Sequence, residues 1–250
     1  MADYDNRLAR SAGGTSGVLI DDGLRSHMLR IYNYMLVGLL LTGGTAWLVS
    51  SSPQVAALFF QVNAATNAVG LSALGWVALL APLAMVFFLS FGINRMSVGA
   101  AQALFWVYSG VVGIGLAPIL WIYTGASVAE TFFITAATFG AMSVWGYTTR
   151  ANLAGMGSFL FMGLIGIIIA SVVNMFLHSA AIQWVVSVAG VLIFTGLTAY
   201  DTQAIKESYV ANDDGTVAGR KAIFGALRLY LDFLNLFLLL LQLFGGGNRR

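Results

Sequence analysis

The chain has 250 residues, of which 59% are hydrophobic and 9% are charged, and its formal net charge is +2. Soluble domains carry about 25% charged residues, so this composition excludes a water-soluble fold and predicts an integral membrane protein. The small net charge offers no basic patch for nucleic acid, and the absence of cysteine excludes disulfides, thiolate metal sites and cysteine nucleophiles.

The chain begins with a polar segment that contains both arginine and aspartate. This segment lacks the basic region, apolar core and small-residue cleavage site of a signal peptide. We therefore expect residues 1–25 to form a flexible cytoplasmic tail and residues 26–250 to form a single transmembrane domain.

Seven later segments are apolar over roughly the 20 residues that a spanning helix needs. Long unbroken apolar runs and only three prolines favour helices over a β-barrel, whose strands alternate over about ten residues. The predicted fold is an all-α membrane protein with seven transmembrane helices. The predicted spans are about Ile31–Val49, Leu71–Phe91, Val98–Trp121, Thr131–Tyr147, Met156–Phe176, Ile182–Asp201 and a last one ending near Phe244.

Residues 51–70 are apolar enough to suggest an eighth span. Proline, glutamine and asparagine interrupt them, namely Pro53, Gln54, Gln61, Asn63 and Asn67. We interpret this segment as a loop on the outer side of the membrane.

Basic residues occur only in alternate loops, which fixes the predicted orientation. The segment before the first span and the loops after the second, fourth and sixth spans contain them: Arg7, Arg10, Arg25, Arg30, Arg95, Arg150, Lys206, Arg220 and Lys221. The amino terminus is therefore placed in the cytoplasm, and seven spans place the carboxyl terminus outside. Arg249 and Arg250 oppose this rule, so six spans followed by a re-entrant segment is the alternative.

The last apolar segment carries a stripe of polar side chains. At 100° per residue these side chains fall within about 80° of one helix face. They are Arg228, Asp232, Asn235 and Gln242. The other residues from Leu229 to Leu241 are apolar or tyrosine, so the stripe should face protein or water and the helix should lie at the centre of the bundle.

Two aspartates lie inside or beside the apolar segments. If Lys206 marks the interface, Asp201 in the sequence TGLTAYDTQAIK lies about 7 Å inside at ~1.5 Å per residue. Asp232 lies about 16 Å inside when measured from Lys221, and about 6 Å inside when measured from Arg228. We prefer the second assignment because it leaves no arginine in the hydrocarbon core and gives both carboxylates a similar depth.

Two adjacent carboxylates in a low dielectric cannot both ionise cheaply, so Asp201 and Asp232 are expected to share a proton and titrate as a unit. Arg228 or Arg95 would stabilise the fully ionised pair. The alternative is structural, with Asp201 capping a helix end and Asp232 forming a salt bridge to Arg228 one turn away. Carboxylates also attract Ca²⁺, although two are too few for a high-affinity site.

Two further charges border apolar segments. Arg95 follows the second span and is expected to snorkel to the cytoplasmic interface. Glu130 begins the fourth span on the outer side, where the helix dipole favours an acid, and a weak Ca²⁺ entry site is the alternative.

The motifs GLTAYDTQAIK at 196–206 and GALRLYLDFLNLFLLLLQLFG at 225–245 resemble the signature of the Bax inhibitor-1 family, also called the transmembrane Bax inhibitor motif family. The segments at 81–97 and 30–50 are similar to it as well, so the resemblance runs from about residue 25 to the end. It implies a seven-helix fold with the last helix central. It also implies a pH-sensitive calcium leak gated by a di-aspartyl sensor, which motif position assigns to Asp201 and Asp232, with Arg95 able to pair with the first.

The predicted function is thus a pH-sensitive calcium channel of the leak type, with Asp201, Asp232, Arg95 and Arg228 at a cytoplasmic gate. Its expected partners are the lipid bilayer, Ca²⁺, H⁺ and other membrane proteins, without a cofactor, and the short loops favour a bacterial inner membrane. The alternatives are a modulator of membrane proteins without its own transport and a Ca²⁺/H⁺ exchanger.

An enzyme is not expected. Tyr200-Asp201 fits the first half of an intramembrane aspartyl protease, but residues 229–232 read LYLD where those enzymes require Gly-x-Gly-Asp. A retinal protein is excluded because no predicted span contains a buried lysine for a Schiff base.

Overall fold

A computed structural model describes residues 2–62 and 69–246 of the chain, with side chains described at 22–61 and 70–246. This part of the chain contains nine α-helices, one short 3-10 turn at Ile93–Arg95 and one β-hairpin. The helices are α1 Ala2–Ser51, α2 Pro53–Phe59, α3 Ala73–Gly92, α4 Val98–Leu116, α5 Ile119–Ile122, α6 Gly125–Thr148, α7 Ala154–Leu177, α8 Ala180–Glu207 and α9 Gly215–Phe244. The strands are β1 Phe60–Val62 and β2 Val69–Leu71.

Seven helical segments of the described chain are long and apolar enough to cross a membrane, which confirms the predicted fold class. They are Asp22–Ser51, Ala73–Arg95, Val98–Ile122, Gly125–Thr148, Ala154–Leu177, Ala180–Glu207 and Gly215–Phe244. Each span contains its predicted apolar segment almost entirely, so the number and order of the spans agree with the sequence prediction.

The helices α6 and α8 start before their predicted apolar segments, and each start has a polar cap. Among the helices with a capped start, the largest difference between the predicted and the observed start is in α6. This helix begins at Gly125 rather than Thr131, because the Thr124 side chain accepts a hydrogen bond from the Ser127 backbone N–H. Ser72, Ser97, Ser179 and Asp214 cap their helices in the same way. A capping residue satisfies a backbone donor that the helix itself leaves free.

The helix α1 continues towards the amino terminus through the segment predicted as a tail. The flexibility of residues 1–25 concerns motion and stays a prediction, and Met1 lies outside the described residues.

The segment 51–70 does not add an eighth span among the described residues. It contains α2 and the hairpin, in which Phe60 pairs with Leu71 and Val62 with Val69. The sequence did not predict these elements, and Asn63 and Asn67 lie outside the described residues. Trp121 packs edge-to-face on Phe60 with ring centroids 5.2 Å apart, so the hairpin and the α4–α6 connection lie on the same side of the bundle.

The end of α9 lies on that side as well. The Gly246 N–H donates to Ser127 Oγ over 2.7 Å, and the Thr124 N–H donates to the Gly246 carbonyl over 3.3 Å. Because α9 is one continuous helix of 30 residues, the re-entrant alternative is wrong and the seventh segment crosses the membrane. Arg249 and Arg250 lie outside the described residues.

The last helix occupies the centre of the bundle, as predicted. It packs against α1, α4, α6 and α8, and 67% of its most apolar window is buried, against 28% or less for every other span. Tyr230 at its middle is completely buried and lies 2.6 Å from the Thr42 hydroxyl on α1. A polar contact of this kind joins a central helix to an outer one where no water is available.

A glycine brings α8 close to α6. A side chain at Gly146 would overlap the backbone of Ala199, so the two helices can approach at this point only because Gly146 has no Cβ. Asp201 lies two residues further along α8, and the close approach therefore fixes its position relative to the bundle.

Candidate functional site

The structure brings Asp201 and Asp232 together. Asp201 on α8 and Asp232 on α9 are 7% and 4% exposed, and both side chains line one cavity. The structure therefore places two buried carboxyl groups of consecutive spans at one site.

Arg228 lies beside this pair and bonds to Asp201. Its Nη2 donates to Asp201 Oδ1 over 2.5 Å, which makes an ion pair between α9 and α8. The alternative interpretation, a salt bridge from Arg228 to Asp232 along the same helix, is not what the structure shows. Arg228 instead joins the two helices that carry the aspartates.

The second carboxyl group is incompletely bonded. The Oδ2 atom of Asp232 is buried and has no hydrogen-bond partner among the described residues. A buried polar atom without a partner is costly, so this oxygen requires a proton, a water molecule or a cation.

The aspartate pair lines a cavity of about 1010 Å³ between α7, α8 and α9. The cavity exists because α8 packs against both neighbours, whereas α7 makes little contact with α9. All four residues of the predicted polar stripe line it: Arg228, Asp232, Asn235 and Gln242. From Arg228 to Gln242 the stripe extends about 21 Å along α9 at ~1.5 Å per residue, which is most of the ~30 Å hydrocarbon thickness.

A cluster of amides and hydroxyls closes the outer end of the cavity. Gln183 Nε2 donates to Gln242 Oε1 over 2.8 Å, and Ser187 Oγ donates to the same oxygen over 3.0 Å. Asn174 Nδ2 donates to Gln183 Oε1 over 3.3 Å. Sequence reasoning identified only Gln242, although the spacing of four residues between Gln183 and Ser187 places both on one face of a helix.

Arg95 lies apart from the aspartate pair. It is exposed and forms no ion pair with any described side chain. The predicted contact with Asp201 is therefore absent, because α3 packs on α4 and its terminal turn meets α9 near Arg220, which donates to the Met96 carbonyl over 2.7 Å. The exposed position agrees with the expectation that Arg95 snorkels to the interface.

Glu130 is exposed near the outer end of α6 and does not line the cavity. Over residues 22–61 and 70–246 no group of three or more histidine or acidic side chains could hold a metal ion. Asp201 and Asp232 are thus two carboxylates without a third among the described side chains, which is too few for a high-affinity Ca²⁺ site.

The chain matches the sequence profile of the family described as "Inhibitor of apoptosis-promoting Bax1" over residues 24–249. It is 47% identical to the inner membrane protein YbhL of Escherichia coli K12 over 230 residues, which cover 91% of this chain and 94% of YbhL. It is 43% identical to protein RP147 of Rickettsia prowazekii over the full length of both chains, and 43% identical to a Caulobacter vibrioides protein over 99% of both. The protein is therefore an integral inner-membrane protein and belongs to the Bax inhibitor-1 family.

Proposed function

We propose that the protein is a pH-sensitive leak pathway for Ca²⁺, with Asp201, Asp232 and Arg228 as its gate. One observation carries this proposal: the polar stripe of an otherwise apolar central helix lines a single cavity that contains the buried carboxylate pair. Polar residues inside a membrane are expensive and are typical of ion pathways and proton relays. The family resemblance, which implies a calcium leak gated by two aspartates, supports the same conclusion.

The cavity offers oxygen ligands along its length. The side chains of Asp232, Asn235 and Gln242 line the same space. Ca²⁺ prefers oxygen ligands and binds tightly when six to eight surround it. This cavity supplies fewer, so we expect a cation to pass from site to site rather than to be stored.

The gate is the ion pair between Arg228 and Asp201. It joins α8 to α9 at the cytoplasmic end of the cavity. Protonation of the aspartate pair removes the charge that holds Arg228, so the link between the two helices depends on pH. Arg95 takes no part in this link in the conformation described here.

Calcium flux into liposomes that contain the purified protein tests the proposal. We expect the wild-type flux to change with pH and the double variant D201N/D232N to lose that pH dependence, because an amide cannot take up the shared proton. The variant E130Q is the matched control, since it removes a carboxylate outside the cavity and should keep the wild-type profile. An unchanged pH profile in D201N/D232N would contradict the proposal.

Exchange of Ca²⁺ for H⁺ is a second candidate, favoured by the two buried carboxyl groups in the wall of one cavity. A pH gradient imposed across liposomes with equal Ca²⁺ on both sides separates the two functions. An exchanger accumulates Ca²⁺ against its gradient, whereas a leak does not. A modulator without its own transport gives no flux in either experiment.

A further inference from the structure

A second cavity, of about 770 Å³, lies on another side of the central helix, between α1 and α6. Both walls pack against α9 but make little contact with each other, so a groove remains between them. Phe233 of α9 and Phe139 of α6 are buried and line it, and Leu36 and Val144, which are 53% and 64% exposed, also line it. The groove is therefore apolar and open towards the bilayer.

The groove is long enough for an acyl chain. Its lining extends on α1 from Arg25 to Leu39, which is about 21 Å at ~1.5 Å per residue. One leaflet contributes about half of the ~30 Å hydrocarbon thickness. A single extended chain that enters from the cytoplasmic leaflet can therefore lie along the groove for its whole length.

The cytoplasmic mouth of the groove is basic. Arg25 also lines an adjoining polar cavity of about 450 Å³, together with Arg30 and Asn33. Asp22 is the acidic residue in that lining, so the mouth carries two positive charges and one negative charge. Within the described side chains neither arginine forms an ion pair, and both are exposed near the start of the first span.

A buried hydroxyl group inside the groove also lacks a partner. Ser143 is 5% exposed and lines the groove, and its Oγ forms no hydrogen bond with any described group. It lies about 7 Å from the cytoplasmic end of α6 at ~1.5 Å per residue. The oxygen itself is almost inaccessible, so it donates to the ester carbonyl of a lipid at the mouth only after the Ser143 side chain rotates towards the groove.

We propose that this groove is a binding site for an anionic phospholipid of the cytoplasmic leaflet. Arg25 and Arg30 hold the phosphate and the negative headgroup, Ser143 donates to an ester carbonyl, and an acyl chain lies over Phe139 and Phe233. Basic sites between helices on the cytoplasmic side are suited to anionic headgroups. The site is separate from the ion cavity, since α9 presents different residues to the two spaces.

Lipid retention by the purified protein tests the headgroup part of this site. The protein is mixed with equal amounts of dioleoyl phosphatidylglycerol and dioleoyl phosphatidylcholine, and the bound lipid is counted by native mass spectrometry. We expect the wild type to retain more phosphatidylglycerol than phosphatidylcholine. In R25Q/R30Q the ratio of the two bound lipids should fall about fivefold for each arginine removed, which corresponds to about 1 kcal/mol each. R25K/R30K should keep most of the preference, and R150Q, which removes an exposed arginine outside the groove, should keep all of it.

Equal retention of the two lipids by the wild type would overturn the proposal, as would an equal loss in R150Q and R25Q/R30Q.

The acyl-chain part is tested by G140W. Gly140 lines the groove, and a Cβ there meets no atom within 4 Å, so the tryptophan ring can fill the groove without a clash with the backbone. G166W is the matched control, because Gly166 is equally open but does not line the groove.

We expect G140W to lose bound phosphatidylglycerol at least tenfold and G166W to retain it, with both proteins monodisperse and similar in melting temperature. Equal retention by the two glycine variants would show that no acyl chain occupies the groove and would overturn the proposal. The test does not depend on ion transport, because lipid binding is measured directly.

Discussion

Replacement of Arg228 by methionine should increase the calcium leak. Methionine keeps an unbranched side chain of similar length but cannot donate to Asp201, so the one ion pair between α8 and α9 within the described residues disappears. If that pair holds the gate closed, its loss shifts the protein towards the open state.

The structure allows the size of the effect to be calculated. A hydrogen bond to a charged group contributes about 1.5–3 kcal/mol, and exposed ion pairs contribute about 1 kcal/mol or less. The Arg228 side chain is 35% exposed and that of Asp201 10%, so we take the lower part of the first range, about 1.5–2 kcal/mol. Since 1.4 kcal/mol corresponds to a factor of ten, the open population should rise roughly 10- to 30-fold.

Calcium influx into liposomes, followed with an internal fluorescent indicator at neutral pH, measures this change. K221Q is the matched control. It removes the ion pair of 2.6 Å between Lys221 Nζ, in the first turns of α9, and Asp213 Oδ2, in the loop before that helix, and it leaves the cavity unchanged. An R228M leak within twofold of the wild type would refute the reasoning, and an equal increase in K221Q would show that any lost ion pair has this effect.

Three further changes have definite expected outcomes. G146A should lower thermal stability by about 1–3 kcal/mol through overlap with the backbone of α8, whereas G140A, where space is open, should leave the melting temperature within about 1 °C. T42V should lower the free energy of unfolding more than Y230F does, as measured in denaturant or thermal melts. T42V leaves the buried hydroxyl of Tyr230 without a partner, which costs about 1–3 kcal/mol, whereas in Y230F Thr42 keeps its hydrogen bond to a backbone carbonyl. R95Q should leave calcium flux and its pH profile unchanged, and a loss of pH dependence in this variant would place Arg95 at the gate.

The sequence predicts the architecture well because the bilayer imposes strong rules. A span must be apolar over about 20 residues, so the number and order of the helices follow from the pattern of apolar segments. The orientation predicted from the basic loops stays a prediction. The polar stripe on α9 was also visible, because polar residues on one face of an apolar helix need a protein or aqueous neighbour. The depths of Asp201 and Asp232 then placed the two carboxylates side by side.

The remaining features depend on which helices contact each other, and a single sequence does not record this. The family resemblance implies that Arg95 is able to pair with Asp201, but α3 packs on α4 and makes little contact with α8. The partners of Gln242 are Gln183 and Ser187 on α8, and Gln183 in turn accepts from Asn174 on α7. These contacts become visible only when the helices are assembled. The lipid groove likewise arises from a gap between α1 and α6 that no local pattern indicates.

The central position of α9 has a consequence for biosynthesis. A ribosome releases the chain from its amino terminus, so the six outer spans enter the membrane before the helix that fills the space between them. Tertiary assembly therefore has to wait for the 30 residues of α9, and the earlier helices must remain separable until then. A chain that stops before Gly215 has the six outer spans but lacks the helix that fills the space between them.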